Sequence, residues 1–162
     1  MISLKNRIKE FQKTFEPYLE KFFKNKLEET ETEEESYVWQ EIHDYVLAGG
    51  KRIRPFILWQ MIQEQDSIPD NLYNILVGFE LLHNSTLIDD DIIDQHTIRR
   101  HRPTLPNSLE KQEMVGEHMS VIASGLLLAS GLEQILQANT EDKFKQKCIE
   151  AYADITKSVN EG

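Results

Sequence analysis

The stretch Glu80-Leu81-Leu82-His83-Asn84-Ser85-Thr86-Leu87-Ile88-Asp89-Asp90-Asp91-Ile92-Ile93-Asp94 constrains this chain more than any other. Its apolar residues recur at helical spacing, and residues three, four and seven apart share a helix face. That spacing puts His83, Leu87, Asp90, Asp91 and Asp94 along one broad stripe, with three carboxylates able to point into one volume. Carboxylates so grouped repel one another unless a hard cation sits among them, and magnesium accepts oxygen ligands. A merely solvated acidic face fits poorly, because Leu87, Ile88, Ile92 and Ile93 interleave with the acids. Ionised groups are rarely set among apolar neighbours without compensation. His83 by itself reads as a packed or hydrogen-bonded histidine. It joins the site only through its place seven residues before Asp90.

After Asp94, Gln95-His96-Thr97-Ile98 leaves the helix, Arg99-Arg100 follows, and Arg102-Pro103-Thr104-Leu105-Pro106 reads as a loop. Arginines grip phosphate oxygens by two-pronged hydrogen bonds. Acids that hold magnesium, flanked by such arginines, make a diphosphate site. A second basic cluster, Lys51-Arg52-Ile53-Arg54-Pro55, follows Gly49-Gly50 at a junction between helices. Glycines let backbone approach a ligand, and helix N-terminal amides add positive potential. Lys51 and Arg54, three apart, can converge on one polyanion. Taken alone the cluster reads equally as a surface basic turn, and its glycine spacing is not that of a Walker loop.

Around these motifs the chain reads as helix. Ser3 caps an amphipathic helix to about Lys24, with Ile8, Phe11, Phe15, Tyr18, Leu19 and Phe22 inward. Residues 27–36 read as a solvated acidic connector. A helix over Val38–Leu47 turns Val38, Ile42, Tyr45 and Val46 inward, and another covers Phe56–Ile62. Asp66–Pro69 makes a turn, and Asp70 caps the long helix that carries the acids. Helices over Val115–Leu136 and Phe144–Val159 complete the 162 residues, expected to form one domain of about six helices.

The balance of 18 basic against 28 acidic residues, a net charge of −10, argues against nucleic acid as the main partner. The single cysteine, Cys148, reads as a packed thiol in a reducing cytosol. No signal peptide opens the chain, and Val121–Leu132 is too short to span a bilayer. A soluble, cytoplasmic protein without stable membrane insertion is expected.

Three linked motifs in register resemble the trans-polyprenyl diphosphate synthase family, of the farnesyl and geranylgeranyl diphosphate synthase type. They are Gly49-Gly50-Lys51-Arg52-Ile53-Arg54-Pro55, then Glu80-Leu81-Leu82-His83 with Asp90-Asp91-Ile92-Ile93-Asp94, then Arg99-Arg100 with Arg102-Pro103-Thr104. The resemblance implies an all-α fold, the N-terminal half of an isoprenoid-synthase-type helical bundle. It implies that Asp90 and Asp94 coordinate Mg2+, with Asp91 in support or at a neighbouring ligand position. Arg99 would hold an allylic diphosphate, and Lys51, Arg54, His83 and Arg100 the diphosphate of isopentenyl diphosphate. Small residues at Ser85 and Thr86 would permit a longer product unless Leu82 or Met119 blocks the channel. They would equally permit close helix packing.

The departures bear on activity. Asp89 stands where the family usually has histidine, and His101 where it has glycine, so the turn there is expected to distort. Ser124-Gly125 replaces a Gly-Asp pair, and no second Asp-Asp-x-x-Asp occurs. Two readings remain open beside the remote one of an unrelated acidic interaction domain. The chain is a split or truncated half of a synthase needing a complementary subunit or a homo-oligomer, or it is a silent diphosphate-binding regulatory subunit.

Overall fold

The computed structural model describes residues 3–64, 71–110 and 115–161. The turn expected at Asp66–Pro69 and the cap at Asp70 lie outside them. Among the described residues are seven α-helices: α1 (Leu4–Glu28), α2 (Glu33–Leu47), α3 (Ile53–Gln63), α4 (Leu72–Ile93), α5 (Leu105–Leu109), α6 (Gly116–Gln137) and α7 (Asp142–Glu161). A ribbon of β1 (Ile98–Arg99) and β2 (Arg102–Pro103) lies between α4 and α5 in sequence. Contacts divide the chain into two compact units. The first comprises Met1–Tyr18, Lys51–His83 and Leu128–Gly162, the second Leu19–Gly50 and Asn84–Leu127.

In the first unit, Ser3 caps α1 as expected, its Oγ accepting from the Asn6 N–H at 3.3 Å. The periodic apolar face of α1 buries Phe11 and Phe15. Phe11 stacks on Phe15 at 5.4 Å and meets Phe56 edge-on at 5.6 Å. Pro17 sits within the helix on its exposed face, which keeps the Lys13 carbonyl it leaves unbonded out of the core. A second cluster joins Ile75 and Leu82 of α4, Ile135 of α6, and Cys148 and Tyr152 of α7. Cys148 is the packed thiol its sequence position suggested, and burial pushes its pKa up. Gly131 brings α6 close to α4, where a Cβ would stand 2.7 Å from the Gly78 carbonyl oxygen.

In the second unit, Val38, Ile42, Tyr45 and Val46 are buried on α2 as their spacing predicts. The helix begins earlier than expected, however. Leu27 and Glu28 complete α1, and Glu33 opens α2, so the acidic connector shrinks to Glu29–Thr32. Thr32 accepts from the Glu35 N–H at 3.2 Å, while Glu35 reaches back to the Glu31 N–H at 2.9 Å. This reciprocal capping, with acids lining the positive end of a helix, turns an apparently solvated run into a helix start.

The apolar stretch read as too short for a membrane lies within α6, a 22-residue helix long and apolar enough to cross one. Three of its serines nevertheless lie against protein. Ser120, Ser124 and Ser130 are buried, and Ser124 Oγ donates to the Ser85 carbonyl at 3.3 Å. Those contacts set one face of α6 against protein.

Candidate functional site

Successive helical residues point about 100° apart, so the neighbours Asp90 and Asp91 leave the helix in different directions. Asp91 takes the inward place, its side chain fully buried, while Asp90 is exposed and the Asp94 side chain is 57% exposed. The common volume expected for all three carboxylates is therefore not formed. Among the described residues no three acid, histidine or cysteine side chains form a metal-sized group.

A buried carboxylate requires partners, and Asp91 has them. Tyr45 Oη donates to Oδ2 at 2.7 Å. Arg99 Nε lies 2.9 Å from both carboxylate oxygens, and its Nη2 lies 2.8 Å from Oδ1. Burial, then the Asp91 hydrogen bond, pushes the Tyr45 phenol far up, so it stays a donor. The hydrogen bond to Asp91 likewise raises Arg99. His96 Nδ1 approaches Asp91 at 3.6 Å and Asp94 at 4.0 Å.

The turn after α4 returns Arg99 to this carboxylate. Gln95 takes φ +53°, its N–H bonding the Ile92 carbonyl at 3.2 Å while the His96 N–H bonds the Asp91 carbonyl at 3.0 Å. That pair of bonds is a Schellman stop. The expected loop over Arg102–Pro103 is instead half of a hairpin that pairs Ile98 with Pro103 and Arg99 with Arg102. Both turn residues, Arg100 and His101, have positive φ, 52° and 64°, the pattern of a type I′ turn. His101 thus adopts a conformation that favours glycine, and the ribbon forms without distortion of its register. Thr104 fastens the hairpin base by donating from Oγ1 to the His96 carbonyl at 2.7 Å. Arg100 Nη1 reaches the Val46 carbonyl at 3.5 Å. Arg99, Arg100 and Arg102 line a cavity of about 290 Å³ together with Tyr45, Glu41 and Asp44.

The first unit holds the other expected residues. Arg52, at φ +48°, leads into α3 and is buried. Its Nε bonds Glu16 at 2.8 Å and its Nη1 bonds Glu80 at 2.7 Å. Burial opposes its charge, but the two carboxylates outweigh that and hold the guanidinium above its ordinary value. From this anchor Lys51 stays exposed, and Arg54 Nη1 meets His83 Nε2 at 3.0 Å. The structure brings two pairs of these residues into contact, Asp91 with Arg99 and Arg54 with His83, each within its own unit.

Tyr45, Arg52, Glu16 and Glu80 were not among the expected site residues. A tyrosine on an inward helix face needs a partner for its hydroxyl, and a glutamate inside an apolar run needs a cation. Those two needs were the available signals.

The sequence model described as polyprenyl synthetase matches residues 36–162. The chain belongs to the polyprenyl synthetase family. Over 130 residues it is 32% identical to a short chain isoprenyl diphosphate synthase of Methanocaldococcus jannaschii, covering 75% of this chain and 37% of that one. It is also 32% identical over 118 residues to a geranylgeranyl diphosphate synthase of Methanosarcina mazei, covering 71% and 34%. The crystal structure of geranylgeranyl pyrophosphate synthetase from Pyrococcus horikoshii superposes with a TM-score of 0.75 at 28% identity, over 98% of this chain and 43% of that one. This polyprenyl synthetase chain thus has the all-α fold of the isoprenoid synthases. It spans about a third of the length of the curated relatives it matches.

Proposed function

We propose that this chain provides the first aspartate-rich wall of a polyprenyl diphosphate synthase, which condenses isopentenyl diphosphate with an allylic diphosphate. The observation that carries the reading is Arg99, clamped on one edge by buried Asp91 beside exposed Asp90 and Asp94. Magnesium is commonly held by one or two carboxylates plus substrate phosphates, and Asp90 and Asp94 suit that donor set. Bound there, Mg2+ would neutralise charge on the diphosphate as it leaves.

Arg99 binds the allylic diphosphate and stabilises charge developing on its bridging oxygen. Lys51, Arg54 and His83, in the first unit, bind the diphosphate of isopentenyl diphosphate, and Arg100, in the second, is a phosphate-binding arginine. The allylic C–O bond breaks, the isopentenyl double bond forms the new C–C bond, and a proton is lost from the adduct. Burial of Ser85 and its carbonyl's bond to Ser124 support close helix packing as one use of the small residues ahead of the acids.

The second aspartate-rich wall comes from outside these 162 residues, in the same polypeptide, a second copy or a complementary subunit, acting in the cytosol. Exposed Ile93 and Ile98, at 78% and 70%, support a further covering surface. A silent diphosphate-binding subunit is the second reading, favoured by Gly125, where the family's carboxylate is replaced and a Cβ would meet nothing within 4 Å.

Calorimetry with an allylic diphosphate tests the binding claim. Binding should require Mg2+ and be lost in Asp90→Asn and Asp94→Asn, and absence of binding by the folded chain overturns it. Labelled isopentenyl diphosphate should give no elongated product with this chain alone. Product from the single chain would overturn the need for a second wall.

A further inference from the structure

The Asp91 carboxylate is held from two sides, and the second side is a residue with no assigned part in the reaction. Tyr45 Oη donates to Oδ2 at 2.7 Å from the last turns of α2. Against the same carboxylate Arg99 spends one edge of its guanidinium, Nε and Nη2. Among the described residues nothing is bonded to Nη1. A guanidinium has five N–H groups in a rigid fork, so the edge formed by Nη1 and the second Nη2 hydrogen remains for a two-pronged grip on phosphate.

Without the tyrosine hydroxyl, the carboxylate can turn about its χ2 bond, which is a soft torsion. The Asp91–Arg99 fork then loses its fixed plane. We infer that Tyr45 is a positioning residue: its hydroxyl holds Asp91 in the plane that aims the free edge of Arg99 at a substrate diphosphate. The inference rests on the diphosphate reading for its ligand, but the Tyr45–Asp91–Arg99 arrangement is testable without one.

Two measurements on the full chain separate the two claims. Hydrogen exchange at the Arg99 Nε–H, followed by nitrogen-resolved NMR, should speed up by about threefold to tenfold in Tyr45→Phe, the span a typical hydrogen bond commands. Asp91→Asn keeps the side-chain shape and should speed it at least as much. Unchanged exchange in a folded Tyr45→Phe overturns the positioning role.

Calorimetry with inorganic diphosphate and magnesium then reads the consequence. Tyr45→Phe should weaken binding by about threefold to tenfold, and adding Tyr45→Phe to Arg99→Ala should cost nothing further, because the residue acts through Arg99. Additive losses in that double variant overturn the inference, since a general packing defect would weaken binding whether or not Arg99 is present. If the wild-type chain binds no diphosphate, the functional reading falls, and exchange at Arg99 still decides whether Tyr45 sets it.

Discussion

Arg54 Nη1 meets His83 Nε2 at 3.0 Å, and because a guanidinium can only donate, that imidazole nitrogen must be the acceptor. The contact therefore selects one tautomer, with the ring proton on Nδ1.

The first expected outcome follows from that tautomer. In ligand-free protein at about pH 8, nitrogen NMR of the imidazole should show the Nδ1–H form for His83. Arg54→Ala should shift it toward a mixture. A dominant Nε2–H form in the wild type would remove the contact from the description of the site.

Arg52 and Glu80 form a pair with side chains only 1% and 2% exposed. Removing one partner of a buried pair leaves the other charged and unsolvated, at a cost of about 3–5 kcal/mol. Arg52→Met should therefore lower stability in urea by about that much, while Glu80→Gln should cost less because Arg52 keeps Glu16. The double variant Arg52→Met/Glu80→Leu should recover much of the loss. Equal destabilisation by the single and the double variants would show that burial of the charge is not what is at stake.

Two glycines of α6 should respond to alanine with opposite signs. At Gly125 a Cβ meets nothing within 4 Å, whereas at Gly131 it would stand 2.5 Å from Tyr152 Oη. Gly125→Ala should stabilise the chain by about 1 kcal/mol through helix propensity. Gly131→Ala should destabilise it by about 1–3 kcal/mol through overpacking. Thermal unfolding of the two variants side by side tests the pair, and a shared sign would contradict the close approach.

Burial pushes the Cys148 thiol and the Tyr152 phenol up from ordinary values of 9.0 and 10.0. In the unfolded chain both lose protons near those ordinary values, while the folded chain keeps them. Their contribution to stability is thus complete below the ordinary values and is lost as pH rises toward the folded ones. Urea midpoints should fall as pH rises above about 9, and Cys148→Ala should shrink the early part of that fall. A flat profile would mean that neither group is desolvated.

Much of this was legible before any coordinates, and the particular failures have physical causes. Spacing located the inward face of α2, because Val38, Ile42, Tyr45 and Val46 repeat at the helical period and are buried. Periodicity assigns a residue to a face but not an atom to a partner, so Tyr45 read as core and its hydroxyl went unassigned. Asp90, Asp91 and Asp94 read as one ligand group because a broad helical stripe hides the roughly 100° between Asp90 and Asp91, and Asp91 alone turns inward. The start of α2 was missed because acids at a helix N-terminus look like a solvated run until Thr32 is seen to cap them. The hairpin was missed because Arg100-His101 carries none of the Asn-Gly or Asp-Gly signature usual for its turn.

The Schellman stop at Gln95 and the pairing of Arg99 with Arg102 turn the four residues from Gln95 to Ile98 into a ruler. An insertion or deletion of one residue there would flip the ribbon and send Arg99 to the opposite face. Selection on this segment should therefore act on its length as well as on its chemistry, because the count of residues sets which way Arg99 faces.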